Sequence, residues 1–368
     1  MLPNPQPYFT KLVDPRRETR NKLHALQDIV MITLCATLCG YDDWVGIEDF
    51  AHENEAWLRE FLPLPNGIPS HDTLSDVIGR LERKAFADAF ARWMQDSLPS
   101  FDTRHIALDG KTLRGSRQNG SAVHLMSAFA TEARLVLAQH EVPGKANEIT
   151  ALPDLMKQVD LRGTVISIDA IGCQKTVAEQ IVAAKADYVL ALKDNHPTLR
   201  EEVALWLDEQ TDKGALPILE TIDKDHGRLE VRRYSLSGQL DWLEPRAQWK
   251  GLTALGRVES IRHVGGRETR ECRYFPSSIG DLERFAGVVR DHWAIENSQH
   301  WVLDVQFRED ANRSRKDHSA SNLAVIRRAA LNLIRQNDSS QLSIGRRRMR
   351  ACTNAQYRTQ LLFGPDAS

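Results

Sequence analysis

Asp109 closes the apolar run of IALDGKTLRGS, and Asp169 closes that of VISIDAIGCQ. Glu296 lies between Trp293 and Trp301 in RDHWAIENSQHWVLDVQFRED, residues 290–310. A carboxylate among apolar neighbours loses solvation unless something positive faces it. Taken singly, each aspartate is most simply a strand-end residue capping a turn or the next helix. Taken together, three carboxylates from two strand ends and a late helix can hold two divalent ions about 4 Å apart. Such a pair activates a water or a 3′-hydroxyl and stabilises the leaving oxygen of a phosphodiester. Oxygen-only ligands favour Mg²⁺, with Mn²⁺ as its substitute, over zinc. Glu296, His300 and Asp304 repeat every four residues and offer a rival single-metal site, which leaves Asp109 and Asp169 without a role.

Other polar residues cluster near these acids in sequence. Lys111, two residues after Asp109, can neutralise phosphate or be an exposed turn lysine. Lys193 and Asn195 follow a strand and can track a nucleic-acid strand. His226, Gly227, Arg228 and Arg232 form a donor-rich hairpin edge suited to backbone contacts, or a charged edge strand that resists aggregation. Trp293 and Trp301 could stack on a base, although tryptophans on a long helix are more often core.

The positioning elements follow from periodicity. Residues 1–100 read as helical: a helix within Asp14–Cys39 stopped by Gly40, a second over Asp42–Phe61, then the loop LPLPNGIPS. A third helix, capped by Ser70 or Asp72, runs to about Leu81, and a fourth covers Arg83–Met94. Such a bundle can bind DNA or serve as a packing and dimerisation module. From His105 the period shortens, giving strands His105–Leu108, Val123–Ala130 and Leu135–Val142. Helix Asn147–Val159, strand Thr164–Ile168, helix Lys175–Lys185, strand Asp187–Leu192 and a helix over 197–212 follow. Three strands and then alternation indicate an α/β fold, a mixed sheet flanked by helices, with Asp109 and Asp169 at the strand-end edge where sites form. Residues 220–278 turn β-rich, with Gly265-Gly266 as a hairpin turn. They lie between Asp169 and Glu296 and read as an insertion. Helices Asp281–Phe307 and Ser321–Arg335 close the fold, and 336–368 reads as a basic, loosely ordered tail.

With 368 residues, 42% hydrophobic and 27% charged, the chain suits a globular protein of two domains or of one domain with a large insertion. Its net charge of −2 excludes a protein that coats nucleic acid nonspecifically. From Arg308 to Arg350, however, eleven Lys and Arg stand against four Asp and Glu, as expected of a face that meets phosphate or of a solvated helical tail. Five cysteines without a CxxC pair argue against disulfides and zinc and for a cytoplasmic location. The N-terminus lacks a secretory pattern, and the mainly apolar run Ile29–Tyr41 is too short to span a bilayer, so no membrane partner is expected.

The chain resembles bacterial insertion-sequence transposases of the DDE class, in the H-repeat-associated subgroup. The resemblance rests on an ordered set of motifs: HALQDIVMITLCATLCGYDDW, IPSHDTLSDVIGRL, IALDGKTLRGS, SIDAIGCQ, ADYVLALKDNH, DHGRLEVRRY and HWAIENSQHWVLDVQFRED. It implies a helical N-terminal transposase-associated domain (1–100), an RNase H-like catalytic domain (101–335) with a β-rich insertion near 220–278, and a D, D, E triad at Asp109, Asp169 and Glu296. It also implies Mg²⁺-dependent cleavage at element ends, transfer of the 3′-OH into target DNA, and a homodimer or higher oligomer on DNA. Related transposases carry Tyr and Arg before the glutamate and Lys after it. Here those positions are Val289, His292 and Leu303, so Arg290 and His292 are the candidates for those phosphate contacts. The same acids would also suit an RNase H-like nuclease that does not join strands, or survive in a DNA-binding relic.

Overall fold

The computed structural model describes residues 1–19, 22–100, 103–142, 148–225 and 228–364. The N-terminal region is helical: α1 (Gln6–Phe9), α2 (Leu26–Cys39), α3 (Trp44–Glu53), α4 (Glu55–Leu58), α5 (His71–Arg80) and α6 (Arg83–Ser97). The first long helix starts at Leu26 rather than near Asp14, and Leu23 is half exposed. Gly40 ends it at φ +104°, a left-handed stop that suits glycine. All but one of the residues of α2 are buried, so it is a core helix rather than a surface one. The segment expected as one helix over Asp42–Phe61 breaks at Asn54 into α3 and α4. Ser70 caps α5 by accepting from the Thr73 amide. No single helix among the described residues is long and apolar enough to cross a membrane.

One nine-stranded mixed sheet follows, in the order β3-β2-β1-β4-β5-β9-β8-β7-β6. Its first half holds β1 (His105–Thr112), β2 (His124–Ala130), β3 (Leu135–Val142), β4 (Val165–Ile168) and β5 (Asp187–Leu190). The first three are antiparallel, whereas β4 and β5 run parallel to β1, as expected of an RNase H-like core. Helices α7 (Glu148–Lys157), α8 (Lys175–Ala183) and α9 (Pro197–Asp212) alternate with the later strands. The second half is an antiparallel meander, β6 (Ile218–Asp225), β7 (Arg228–Ser237), β8 (Ala254–Val264) and β9 (Arg267–Ser277). Gly265 and Gly266 both take positive φ in its last turn. This β-rich block extends the same sheet, joined through Val189↔Ser277 and a bridge between Leu192 and Tyr274.

The late helical segment is interrupted. It comprises α10 (Leu282–His292), a π-helical turn at Ile295–His300 and α11 (Trp301–Gln306), and the helix ends before Arg308, which takes φ +49°. Residues 290–310 therefore do not form one regular helix. α12 (Ser319–Gln336) is buried along nearly its full length. The stretch expected to be a loose tail instead carries α13 (Ile344–Thr353) and α14 (Ala355–Phe363), with Ala351, Tyr357, Leu361 and Leu362 buried. These side chains join a core that is continuous from α2 through the sheet to α14.

Candidate active site

The parallel register of β1 with β4 ends at Leu108↔Ile168. Asp109 and Asp169 each follow the last paired residue, so adjacent strands present them side by side, with about 4.8 Å between the backbones across the sheet. Asp109 is still inside β1, opposite Ser127 of β2, whereas Asp169 opens the turn after β4. Glu296 comes from the π-helical turn across the cleft, and all three acids line one cavity. A π turn adds a residue to the helical repeat and often marks functional sites.

Burial and crowding set the charge state of this pair. Desolvation, then the neighbouring Asp169 and more weakly Glu296 and Glu148, push the Asp109 carboxyl up to about 8. Asp169 is also raised, by burial and then by Glu148, while Lys193 and the amides of Ile171 and Gly172 pull it back. His300 Nδ1 stands 3.4 Å from Asp109 Oδ2. Burial holds that imidazole down to about 3, so it is neutral beside the acid. The pairing of His300 with Glu296 or Asp304 that a helical repeat suggests is not formed.

A hard divalent cation suits this donor set. The facing groups are carboxylate oxygens, and the mutual repulsion that raises Asp109 is what a cation would relieve. Among the described residues no three such groups yet stand in a closed ligand shell, so coordination by all three acids requires the side chains to converge.

The remaining candidates separate by geometry. Lys193, Arg232, Arg290 and His292 line the cleft. Arg232 and Arg290 both pair with Asp223 at 2.9 Å. His292 Nδ1 meets Ser167 Oγ at 2.7 Å, and the serine in turn meets His105 Nε2 at 2.6 Å. Lys111 is buried under α11, paired with Asp304 and 3.7 Å from Glu309, so it is not free to meet phosphate. Asn195 donates to the carbonyls of Ala170 and Cys173, tying down the loop after Asp169. Arg228 is half exposed and 3.8 Å from Glu230. His226 and Gly227 lie outside the described residues. Neither tryptophan is core: Trp293 lines the cleft and Trp301 is 57% exposed.

Three features went unnoticed in the sequence. Arg262 and Arg273, from β8 and β9, converge on Trp293. Glu148, buried at the start of α7, lies 2.6 Å from His124 and adds negative charge beside both aspartates. Ser167 and His105 form the buried chain behind His292. Strand alternation could have flagged Arg273 and Arg262 as facing the same side as Arg232; nothing in the local sequence marks Glu148.

Comparison with known proteins gives matches over most of the chain. The family model described as transposase DDE domain matches residues 100–333, and that of the DDE_Tnp_1-associated region matches 7–94. A protein from the dhlA 3′ region of Xanthobacter autotrophicus is 48% identical over 281 residues, 76% of this chain and 95% of its own. YncI of Escherichia coli O157:H7, provisionally named a transposase, is 37% identical, covering 96% of this chain and 93% of its own. The H repeat-associated protein YhhI of Escherichia coli K12 is 35% identical, with 97% of each chain covered.

Proposed function

The chain belongs to the family of transposases built on a DDE domain, and from that premise we propose that it cuts phosphodiester bonds at insertion-sequence ends and joins the freed 3′-hydroxyl to target DNA. Asp109 and Asp169 are the central metal-binding pair, and Glu296 completes the set from the opposite side of the cleft. Mg²⁺, or Mn²⁺ in its place, when bound would supply Lewis acidity for the attacking water or 3′-hydroxyl and for the leaving oxygen. The observation that carries this reading is the meeting of three acids from three separate elements in one cleft.

The other residues orient and neutralise. Lys193 and Arg290 face the cleft from its rim and meet the entering backbone. His292, neutral and fixed by Ser167, gives shape and a hydrogen-bonding edge rather than charge. Asn195 holds the Asp169 loop, and Lys111 holds α11 against β1. Asp109 is expected to lose its proton when a cation enters, because the repulsion that raises it then has a counter-charge. DNA is the partner, and paired ends imply two or more copies of the chain.

The test uses purified protein with a labelled duplex carrying the element ends and a supercoiled target, in Mg²⁺ or Mn²⁺. Asp109→Asn, Asp169→Asn and Glu296→Gln should each cut nicking by about a hundredfold or more, the scale of removing one preorganised charge, without loss of DNA binding. Nicking without joined product would replace the transposase with a nuclease. Binding without nicking in the unaltered chain would leave a DNA-binding relic.

A further inference from the structure

Trp293 lies among three guanidinium groups: Arg273 at 4.9 Å from the ring centroid, Arg262 at 5.4 Å and Arg232 at 5.5 Å. They come from three adjacent strands, β7, β8 and β9, which place them on one face of the sheet. Three like charges on one ring repel, so something must hold them. Glu230, 1% exposed, accepts from Arg262 Nε at 2.9 Å and pairs with Arg232 at 2.8 Å. Asp223 takes the other side of Arg232 together with Arg290, and Glu271 pairs with Arg273 at 2.8 Å. Positive charge still exceeds negative there: Arg232, Arg262, Arg273, Arg290 and Lys193 stand against Glu230, Asp223 and Glu271.

This wall faces the acids. Arg232, Arg273 and Trp293 line the same cavity as Asp109, Asp169 and Glu296, and Trp293 precedes Glu296 by about one helical turn. A cationic wall opposite an acidic one fits a chain of phosphates whose reacting member lies at the acids and whose neighbour reaches the arginines. Guanidinium is planar and binds phosphate oxygens in pairs, and an aromatic face holds that plane in place without consuming its donors. We infer that Arg262 and Arg273, templated on Trp293 and braced by the buried Arg232 through Glu230, form a binding site for the phosphodiester adjacent to the one cut. The ring is thereby a scaffold for cations rather than a platform for a base. The inference rests on reading the cleft as a phosphodiester-cutting site, and it deepens that reading by assigning the β-rich block a share of the substrate.

The experiment measures binding of a fluorescent DNA duplex by anisotropy across a salt series in EDTA, where no cutting occurs. Arg262→Ala and Arg273→Ala should each weaken binding about three- to tenfold and make the log K against log salt slope shallower by about 0.9, the value for one phosphate contact on duplex DNA. Trp293→Leu should reduce the slope similarly, because the arginines lose their template. Arg162→Ala, at an exposed pair with Asp160 away from the cleft, should change neither. Each protein is checked by thermal melting, and Arg273→Gln, which keeps a hydrogen-bonding side chain beside Glu271, replaces any alanine variant that melts early. Unchanged slopes in the folded arginine variants would overturn the site. Lower affinity at unchanged slope in Trp293→Leu would overturn the scaffold role in favour of base stacking. Because this readout is independent of cutting, a chain that does not nick but shows the slope change loses the transposition reading and keeps the phosphate site. A chain that nicks with unchanged slopes does the reverse.

Discussion

His105 is buried and His292 and His300 are partly buried around the acids, and desolvation holds His292, His105 and His300 down to about 4, 3 and 3. The unfolded chain binds protons at these histidines below about 6.5, whereas the folded chain refuses them until pH 3 to 4. Each therefore adds on the order of 1.4 kcal/mol of stability per pH unit as pH rises toward 6.5. Asp109 has the opposite sign. Its folded carboxyl titrates near 8 against an ordinary 3.8, so the folded chain holds that proton and loses stability as pH rises through this window. The metal-free protein should therefore melt highest near pH 6 to 7 and fall toward pH 8. Asp109→Asn should flatten the alkaline limb and steepen the acid limb between about pH 4 and 6.5, where its opposing slope is removed, and added Mg²⁺ should raise the melting temperature most at pH 8. A melting series with and without EDTA checks both; an alkaline limb unchanged in Asp109→Asn would contradict the charge state. At this scale the sequence was most informative for the acids, because a carboxylate directly after an apolar strand is conspicuous. The His105–Ser167–His292 chain was not visible, since its members lie 62 and 125 positions apart and meet only through the pairing of β1 with β4 and the packing of α10 on the sheet.

The interrupted helix carrying Glu296 depends on how closely α10 lies on the sheet. A Cβ built on Gly256 of β8 would stand 2.2 Å from the ring of Phe285, which is fully buried. Glycine here makes room for the aromatic ring of α10, and positive φ plays no part. Gly256→Ala should force Phe285 and α10 away from the sheet at a cost of about 1–3 kcal/mol, the range for overpacking a filled core. Because Glu296 lies beyond the end of α10, nicking should fall by more than the loss of stability explains. Denaturant unfolding alongside nicking rates at full occupancy separates the two effects; equal loss in both would mean that the helix position does not govern the site. The apolar spacing of this segment was legible, with Ile295, Val302 and Leu303 turned inward as a helix requires. The π turn was not, because one extra residue within Ile295–His300 leaves the apolar stripe on the same side and shows itself only in the hydrogen-bond register. Within the β-rich block β6 carries no strand signal of its own, because Ile218 and Ile222 are half exposed at the sheet edge and its alternation marks no buried face.

Across the whole molecule, charge summed along the sequence misplaced the basic segment. Several of its arginines are buried. Arg328 and Glu309 are both fully buried and 2.7 Å apart, with Lys111 Nζ 3.7 Å from Glu309. Arg348 reaches the Thr37 carbonyl at 2.8 Å and Asp42 at 3.1 Å, and its guanidinium covers the ring of Phe307. These pairs lock the C-terminal helices, the N-terminal helices and β1 together, a role that counting charges cannot distinguish from a solvated or DNA-facing stripe. Arg358 likewise packs on Trp57 and bonds Asn54 at 2.6 Å, while Trp57 donates to Thr359 at 2.9 Å. Ending the chain at Gln336 should therefore uncover α2 and α4 rather than trim a loose end. Burial of Tyr357, Leu361 and Leu362 alone corresponds to about 1.5–3 kcal/mol each. Their loss, with Arg348 and Arg358 removed from their buried partners, approaches the ~5–15 kcal/mol that holds a typical folded chain. The truncated protein should lose its cooperative melt and be cut by protease within α2 to α4. Equal melting after truncation at Gln336 would restore the loose tail and would mean that the N-terminal helices hold their fold without α13 and α14.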